Sequence, residues 1–532
     1  MSFRKRFNLN NLPLDAPLYH RDHSRPVSRR DFIRQGFLAG SASLLGGGVF
    51  SLFTLPRQAQ AAIAADIASL ASDIGCSFGA NSGNVPFICF DLAGGANLAG
   101  SNVLIGGAGG QNDGSITTAG YSKLGIPGDM VPGLDSSAFN LFNTSTNNDF
   151  VNDQLGLLFH ADSAMLAGIV EKAGAAIGNI DGCVIPARSD NDTGNNPHNP
   201  LYGIARSGAR GSVVDLIGSR NSDSGGNSMA PADMIDPEFR PTKVDRPSDV
   251  TGLVDVGDLT AILQDPADVT AVMESMARIS HEKLRLGTLN TGLSNDEIVK
   301  DLVRCGYLKA AELADRFAGV PVDPLQDSDI VDDAAGIFST AEMNDGEFRK
   351  TASVMKMVLN GYASAGCITM GGYDYHTGDR ATGESRDRRA GRCIGACLNY
   401  AARLNEPLMI YVFSDGSVAS NGMRDDSPGG RGKGQWTGDN SSTACSFILV
   451  YNPAARPNLL LPGRQIGRFS SDASVVTSSS PAANNVNLLV NTVLLNYMAL
   501  NNRLGDFASV FPNHGLGSGS SYDQYVAFDP II

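Results

Sequence analysis

Two apolar runs without polar alternation, Val85-Pro86-Phe87-Ile88-Cys89-Phe90 and Leu408-Met409-Ile410-Tyr411-Val412-Phe413, set the tightest limit on how this chain folds. Each is the length of a strand, and a strand can be apolar at every position only when both of its faces are covered. Residues 180–186, 367–370 and 446–451 add further strand-length segments. Around them, apolar residues return at helical spacing in 62–76, 155–175, 347–365, 386–404 and 486–500. Strands alternating with helices of this length imply an α/β fold, a largely parallel central sheet with helices on both faces.

The remaining sequence is uneven. Residues 98–150 are rich in Gly, Asn, Ser and Thr, which predicts a long irregular excursion over the surface. Residues 188–200, dense in Asp, Asn and Gly around His198, read as a loop. From 219 to 249 the chain is polar and proline-bearing, the composition of an inserted or mobile segment. Residues 259–317 read as several helices, including 269–285 and 295–318. Together, 219–340 is expected to be a loop and helical insertion within a domain covering 62–532.

Ahead of that domain stands Ser28-Arg29-Arg30-Asp31-Phe32-Ile33-Arg34, then a weakly apolar run over 36–55 and Ala59-Gln60-Ala61. Paired arginines, a run softened by seven glycines and alanines, and a small-x-small cleavage site have the layout of a twin-arginine export signal. Residues 1–61 are therefore expected to be removed. The mature chain would fold in the cytoplasm, pass through the twin-arginine translocation machinery, and work in the periplasm or outside the cell. The formal charge is −14, and the signal region holds nine Lys/Arg against three Asp/Glu, which leaves about −20 on the mature chain. So acidic a chain is a poor partner for nucleic acid or anionic membrane. No other apolar run is long enough to span a bilayer. All eight cysteines follow residue 61 and none forms Cys-x-x-Cys, so neither a zinc ribbon nor a Cys-x-x-Cys-His haem site is encoded. One or two disulfides suit an oxidising compartment, with most cysteines read as small buried hydrophobes. Cys393 and Cys397 share a helix face but lack a second ligand pair.

Three strands run into polar residues of one kind. The first leads into Asp91 and Gly94-Gly95-Ala96-Asn97, another into Gly371-Gly372-Tyr373-Asp374-Tyr375-His376, and a third into Ser414-Asp415-Gly416-Ser417. In a parallel sheet the carboxyl ends of the strands share one edge, so Asp91, Asp374, His376 and Asp415 are expected to converge there. Carboxylates with an imidazole suit a divalent cation such as zinc, manganese, magnesium or calcium. Such an ion polarises a phosphoryl or sulfuryl oxygen and acidifies bound water. Each acid taken alone is equally well explained as an Asx-turn or a helix cap. His160 and His198 are candidate acid–base groups, with a satisfied structural role as the alternative for His160. The run Arg386, Arg388, Arg389 and Arg392, beside Asp379, Glu384 and Asp387, reads as a solvated, internally paired helix face, or alternatively as a grip for an anionic substrate. Gly106-Gly107-Ala108-Gly109-Gly110 has no following Lys-Ser/Thr and is a turn rather than a phosphate loop.

Asp374-Tyr375-His376 after two glycines resembles the GG-aromatic-Asp-x-His element of the domain-of-unknown-function 1501 family, twin-arginine-exported proteins of sulfatase-like, alkaline phosphatase superfamily fold. Other segments fall in that family's order: Gly94-Gly95-Ala96-Asn97, Leu157-Leu158-Phe159-His160 opening a helix, Asn196-Pro197-His198, Phe413-Ser414-Asp415-Gly416 with Asn421, and the glycine-rich 429–438. The similarity extends over most of 85–500. It implies a sulfatase-like sheet and metal ligands at Asp91, Asp374, His376, Asp415 and Asp439. The departures are specific. Asn97 stands where the family usually has Asp, Trp436 or Asp439-Asn440 stands where a late Asp-His pair is expected, and no histidine occurs between His376 and His514. A two-metal hydrolase of this superfamily needs about six or seven ligands, more than can be placed. Asn97 occupies the approximate nucleophile position, but an amide attacks poorly, whereas Ser101 or an activated water would serve.

Two functions are thus expected in competition. One is metal-dependent hydrolysis of a phosphate or sulfate ester, small or polymeric, with His198 as acid or base. The other is a catalytically inactive pseudo-enzyme that keeps the sheet for binding or assembly in the periplasm or at the cell surface, in keeping with Asn97 and the long Asn/Ser/Gly loops.

Overall fold

The computed structural model describes residues 64–76, 82–135, 142–189, 196–254, 263, 265–287, 296–317 and 322–532. The twin-arginine segment lies outside these residues. By its contacts the chain divides into two compact units, Met1–Ser77 with Asp258–Ala318, and Phe78–Gly257 with Gly319–Ile532.

In the larger unit the strands are, in chain order, β1 (Phe87–Leu92), β2 (Val151–Leu155), β3 (Leu157–His160), β4 (Ile180–Pro186), β5 (Val214–Gly218) and β6 (Thr242–Lys243). They continue with β7 (Ala363–Met370), β8 (Leu408–Ser414), β9 (Val418–Asp425), β10 (Lys433–Asp439) and β11 (Cys445–Tyr451). Seven of them form one sheet in the order β4-β11-β8-β1-β7-β5-β6. β1 lies parallel to β7 and β8, and β5 lies parallel to β7 and β6. β11 is antiparallel to both β8 and β4, so it alone runs against the rest of this sheet. The fold is α/β with a mostly parallel mixed sheet, as the apolar runs require.

Every residue of β1, β4, β7, β8 and β11 is buried, because helices cover both faces. On one face Cys89, Cys367, Phe413 and Ile448 share a core with Leu201, Ile204, Leu494 and Tyr497. These last four belong to the helices Leu201–Arg206 and Val486–Leu500. On the other, the helix Gly346–Leu359 packs on β7 and against the long helix Ala381–Leu404, which in turn packs on the helix Ala164–Ala173.

One expectation changes. Leu157-Leu158-Phe159-His160 does not open a helix. It is β3, hairpinned to β2, and the helix begins at Ala164 after Ser163 caps it through Leu166 N at 3.0 Å. A four-residue apolar run is ambiguous between the two states, and pairing with β2 decides it. Within residues 219–249, β6 closes one edge of the sheet, and Asn227 and Ser228 cover a strand end. From the stretch 219–340, the smaller unit takes Asp258–Ala318.

In the smaller unit the helices Pro266–Leu286 and Asp296–Arg316 pack side by side with the helix Ala65–Asp73. Asp265 caps the first of these through Ala267 N at 3.0 Å. A disulfide joins Cys76 to Cys305, and the other described cysteines are buried and free, Cys393 and Cys397 among them. This bond ties the short helix, too brief to be stable alone, to the hairpin. Reduction is expected to lower the stability of this unit by about 2–4 kcal/mol, read from denaturant unfolding with and without dithiothreitol. An unchanged midpoint would remove the bond from the account. Among the described residues, no helix is long and apolar enough to cross a membrane.

Candidate metal centre

The carboxyl ends of β1, β7 and β8 meet at a common rim, and the chain is sewn together there immediately beyond them. Ala93 N donates to Met370 O at 3.0 Å and Tyr373 N to Ala93 O at 3.0 Å, which extends the β1–β7 ladder into the loops. Gly94 follows at φ +124°, and a Cβ at this position would lie 2.3 Å from Asp374 N. The close approach therefore requires glycine. The Gly94 N–H meanwhile donates to Asp415 Oδ1 at 2.7 Å.

At this rim the five expected ligands separate into two groups. Asp91 and Asp415 form a buried pair, each fully enclosed. Asp91 Oδ2 accepts from Asn227 N at 2.6 Å and Ser228 N at 2.8 Å, and Oδ1 from Ser228 Oγ at 3.2 Å. The second oxygen of Asp415 accepts from Asn227 Nδ2 at 3.1 Å. Burial pushes the Asp91 carboxyl up to about 6 despite these donors, and the nearby Asp415 charge adds to the rise. Both carboxylates are thus engaged as latches for the Asn227 and Gly94 loops. Asp91 and Asp415 fall outside the group whose spacing suits a metal ion, and their oxygens accept from the Asn227, Ser228 and Gly94 donors instead.

Asp374, His376 and Asp439 do come together. One ligand atom from each lies within 4.8 Å of the other two, the group of three among the described residues that could hold a metal ion. His376 Nδ1 is 2.5 Å from Asp374 Oδ1 and 3.0 Å from Asp439 Oδ1. That nitrogen is itself sealed from solvent, and neither approach has the alignment of a hydrogen bond. The three side chains are 56 %, 33 % and 53 % exposed in that order, so the group opens outward. Asp439 arrives here because β11 is reversed. The start of β11, Cys445, pairs with Pro186 at the end of β4, so the residues leading into β11 lie along the same rim as the ends of the parallel strands. The hairpin of β9 and β10 delivers it, with Asp439 opposite Val418, and Asn440 N donates to Ser417 O at 2.8 Å.

The other expected residues are placed as follows. Asn97 is enclosed, its Nδ2 donating to Val418 O at 2.9 Å and its Oδ1 accepting from Ser101 Oγ at 3.0 Å. Ser101 is likewise buried, so the two expected nucleophiles satisfy one another inside the protein. His160 donates from Nε2 to Met130 O at 2.9 Å and accepts at Nδ1 from Asp162 N at 3.1 Å, which is the structural alternative. His198 is buried flat against Phe413, with rings 9° apart, and its Nε2 lies 3.0 Å from Ser189 Oγ. Ser189 Oγ also contacts Asp415 O at 2.8 Å, so His198 adjoins the buried pair. Ser189 was missed. It follows β4 by the same strand-end logic that selected Asp91, Asp374 and Asp415.

Burial lowers the His198 imidazole to about 3 and that of His160 to about 4, so both are neutral in the folded protein. A base depressed in the fold contributes stability above its ordinary value near 6.5 and loses it as pH falls below that. His198→Gln removes this loss while keeping a partner for Ser189. At about 1.4 kcal/mol per pH unit, the variant should gain roughly 3 kcal/mol on the native protein between neutral pH and pH 4, measured by urea unfolding at each pH. Parallel curves would contradict the assignment. Asp91 works in the opposite sense, since an acid raised in the fold stabilises at low pH and is lost as pH rises through about 6.

Behind the exposed group lies a buried ionic cluster that composition did not reveal. Lys433 at the head of β10 sits 3.0 Å from Asp162 Oδ2 and 3.2 Å from Glu384 Oε1, and it donates to Asp162 O at 2.6 Å. Arg431 pairs with both carboxylates, and Arg380 pairs with Glu384 at 2.8 Å while its guanidinium lies 4.2 Å from the centre of the Trp436 ring. Burial raises Glu384, but Lys433, Arg380 and Arg431 outweigh it and hold the carboxyl far below its usual range. The arginine face is paired, though with other elements: Arg388 and Arg392 with Glu171, Arg392 also with Glu342, and Arg389 with Asp345. Glu384 and Asp387 point inward instead.

Fold and site together define an α/β protein with an open Asp/His/Asp group at the rim of a mixed sheet. Comparison of the chain with protein-family models, curated proteins and solved structures finds no match.

Proposed function

We propose that this is an exported protein of sulfatase-like architecture that binds one divalent cation through Asp374, His376 and Asp439 and hydrolyses phosphate or sulfate esters there. The observation that carries the reading is His376 Nδ1, an atom sealed from solvent and without a hydrogen bond, approached by two carboxylate oxygens. Two carboxylates and an imidazole suit manganese, zinc, magnesium or calcium. Bound there, the ion supplies a Lewis acid for the ester oxygen and for water. The chain's own part is to hold the three ligands on two stitched arms and to leave their outer side open. Export is supported by the Arg29-Arg30 motif and by the Cys76–Cys305 disulfide, which suits an oxidising compartment. The order of glycine-rich and acidic segments that resembles the domain-of-unknown-function 1501 family supports the architecture.

The second reading, a cation-binding protein without catalysis, is favoured by the sealing of Asn97 and Ser101 against each other. Metal analysis of protein folded in the cytoplasm, with a panel of aryl phosphate and sulfate esters, separates the two. Turnover that a chelator abolishes and one cation restores supports hydrolysis. Bound metal without turnover selects the second reading, and absence of both contradicts each.

A further inference from the structure

Asp387 is buried on the long helix, and its carboxylate bridges the loop after β1 and the turn that carries Tyr375. Its Oδ2 accepts from Asn102 Nδ2 at 2.8 Å, and its Oδ1 accepts from the Tyr375 hydroxyl at 3.3 Å. That hydroxyl in turn accepts from Asn97 N at 3.1 Å, and Asn102 Nδ2 also donates to Asn97 O at 3.0 Å, closing a ring. Tyr375 is the residue between Asp374 and His376. Its buried ring lies 6.2 Å from that of Trp436 on β10, the strand that ends in Asp439. The same arm is stitched to β10 by Trp436 N donating to Asp379 O at 3.0 Å and Gly378 N to Trp436 O at 2.9 Å. Nothing in the cation reading uses Asp387, yet it anchors the one side chain common to both flanks of the ligand pair.

We propose that Asp387 is a positioning residue for the Asp374, His376 and Asp439 group, and that its ionisation, relayed through Tyr375, sets how tightly the group holds a divalent cation. The inference rests on the cation reading above. An ionised carboxylate accepts from Tyr375 and Asn102 together. Once protonated it becomes a donor at one oxygen, which weakens or reverses one of those bonds. Glu384 and Arg380 face it from its own helix, Tyr373 and Tyr375 from the turn before that helix, and Asn102 from the loop after β1. Lys433 and Arg431, from the β10 arm, act on it through Glu384. Burial first, and then Glu384, push the Asp387 carboxyl up to about 7 against the pull of Asn102, Arg380 and Tyr375, so the change falls near neutral pH.

The test is a Mn²⁺ titration of the full chain followed by the fluorescence of Trp436, its only tryptophan, between about pH 5 and 8. Asp387→Asn should bind roughly 10-fold more weakly than the native protein at the alkaline end and match it at the acid end. Tyr375→Phe, which keeps Asp387 and breaks the relay, should follow Asp387→Asn. A ratio of one throughout, or one that does not change with pH, overturns the proposal while leaving the cation site standing. Failure of the native protein to bind Mn²⁺ at any pH overturns both, and is visible before any variant is made.

Discussion

Replacing Lys433 with alanine is expected to cost about 3–5 kcal/mol of folding stability, the largest single loss short of disrupting the sheet. The side chain is wholly enclosed, and its ammonium is the closest charge to Asp162 Oδ2 and one of three cations around Glu384. Burial pulls its pKa down while Asp162 and Glu384 pull it up, the balance of a charge kept in place by its partners. Without it, Asp162 O keeps only Arg431 Nη2 at 3.2 Å and Oδ2 loses its ion pair inside the protein, where an uncompensated polar group is expensive. Lys433→Met, similar in length, should lose nearly as much, which separates the missing charge from the missing volume. Arg388→Ala serves as the comparison. Its pair with Glu171 is 46 % and 34 % exposed, and its loss should stay below about 1 kcal/mol. Denaturant midpoints of the three variants test this, and an equal small effect for all would contradict it.

Asp374→Ala is expected to weaken divalent-cation binding at least about 100-fold while changing stability by no more than about 0.5 kcal/mol. Supporting residues around a metal already contribute up to about this factor, and Asp374 is proposed as a direct ligand. Its side chain is more than half exposed, so little packing is lost. Asp91→Asn should behave in the reverse way, lowering stability through the Asn227 and Ser228 contacts with little effect on affinity. Calorimetric titration of both variants distinguishes the two acids. Equal losses of affinity would mean that the buried pair also binds the ion.

Strands buried on both faces were legible because no alternation is needed to recognise them. The runs at 180–186, 408–413 and 446–451 match β4, β8 and β11 to within a residue at either end. The weaker strands were not legible, since β9 carries largely exposed residues after its first three and β6 is only two residues long. Of the site, Asp374 and His376 could be picked out by residue type and by their place after a strand, whereas Asp439, which ends β10, entered only through the family resemblance. The fate of Asp91 and Asp415 could not, because it depends on donors from Asn227, Ser228 and Gly94, whose proximity is set by loops. Glu384, Asp387, Arg380 and Lys433 look like surface residues in the sequence. The return of β10 encloses Glu384, Arg380 and Lys433, and the loop after β1 with Tyr375 encloses Asp387.

The central claim is that a divalent cation is held where Asp374, His376 and Asp439 meet. The most direct measurement is an anomalous difference map from crystals of the protein grown with Mn²⁺. The account predicts one strong peak within coordination distance of His376 Nδ1 and a carboxylate oxygen from each of the two aspartates. No peak there, or a peak lodged between Asp91 and Asp415 instead, would contradict it.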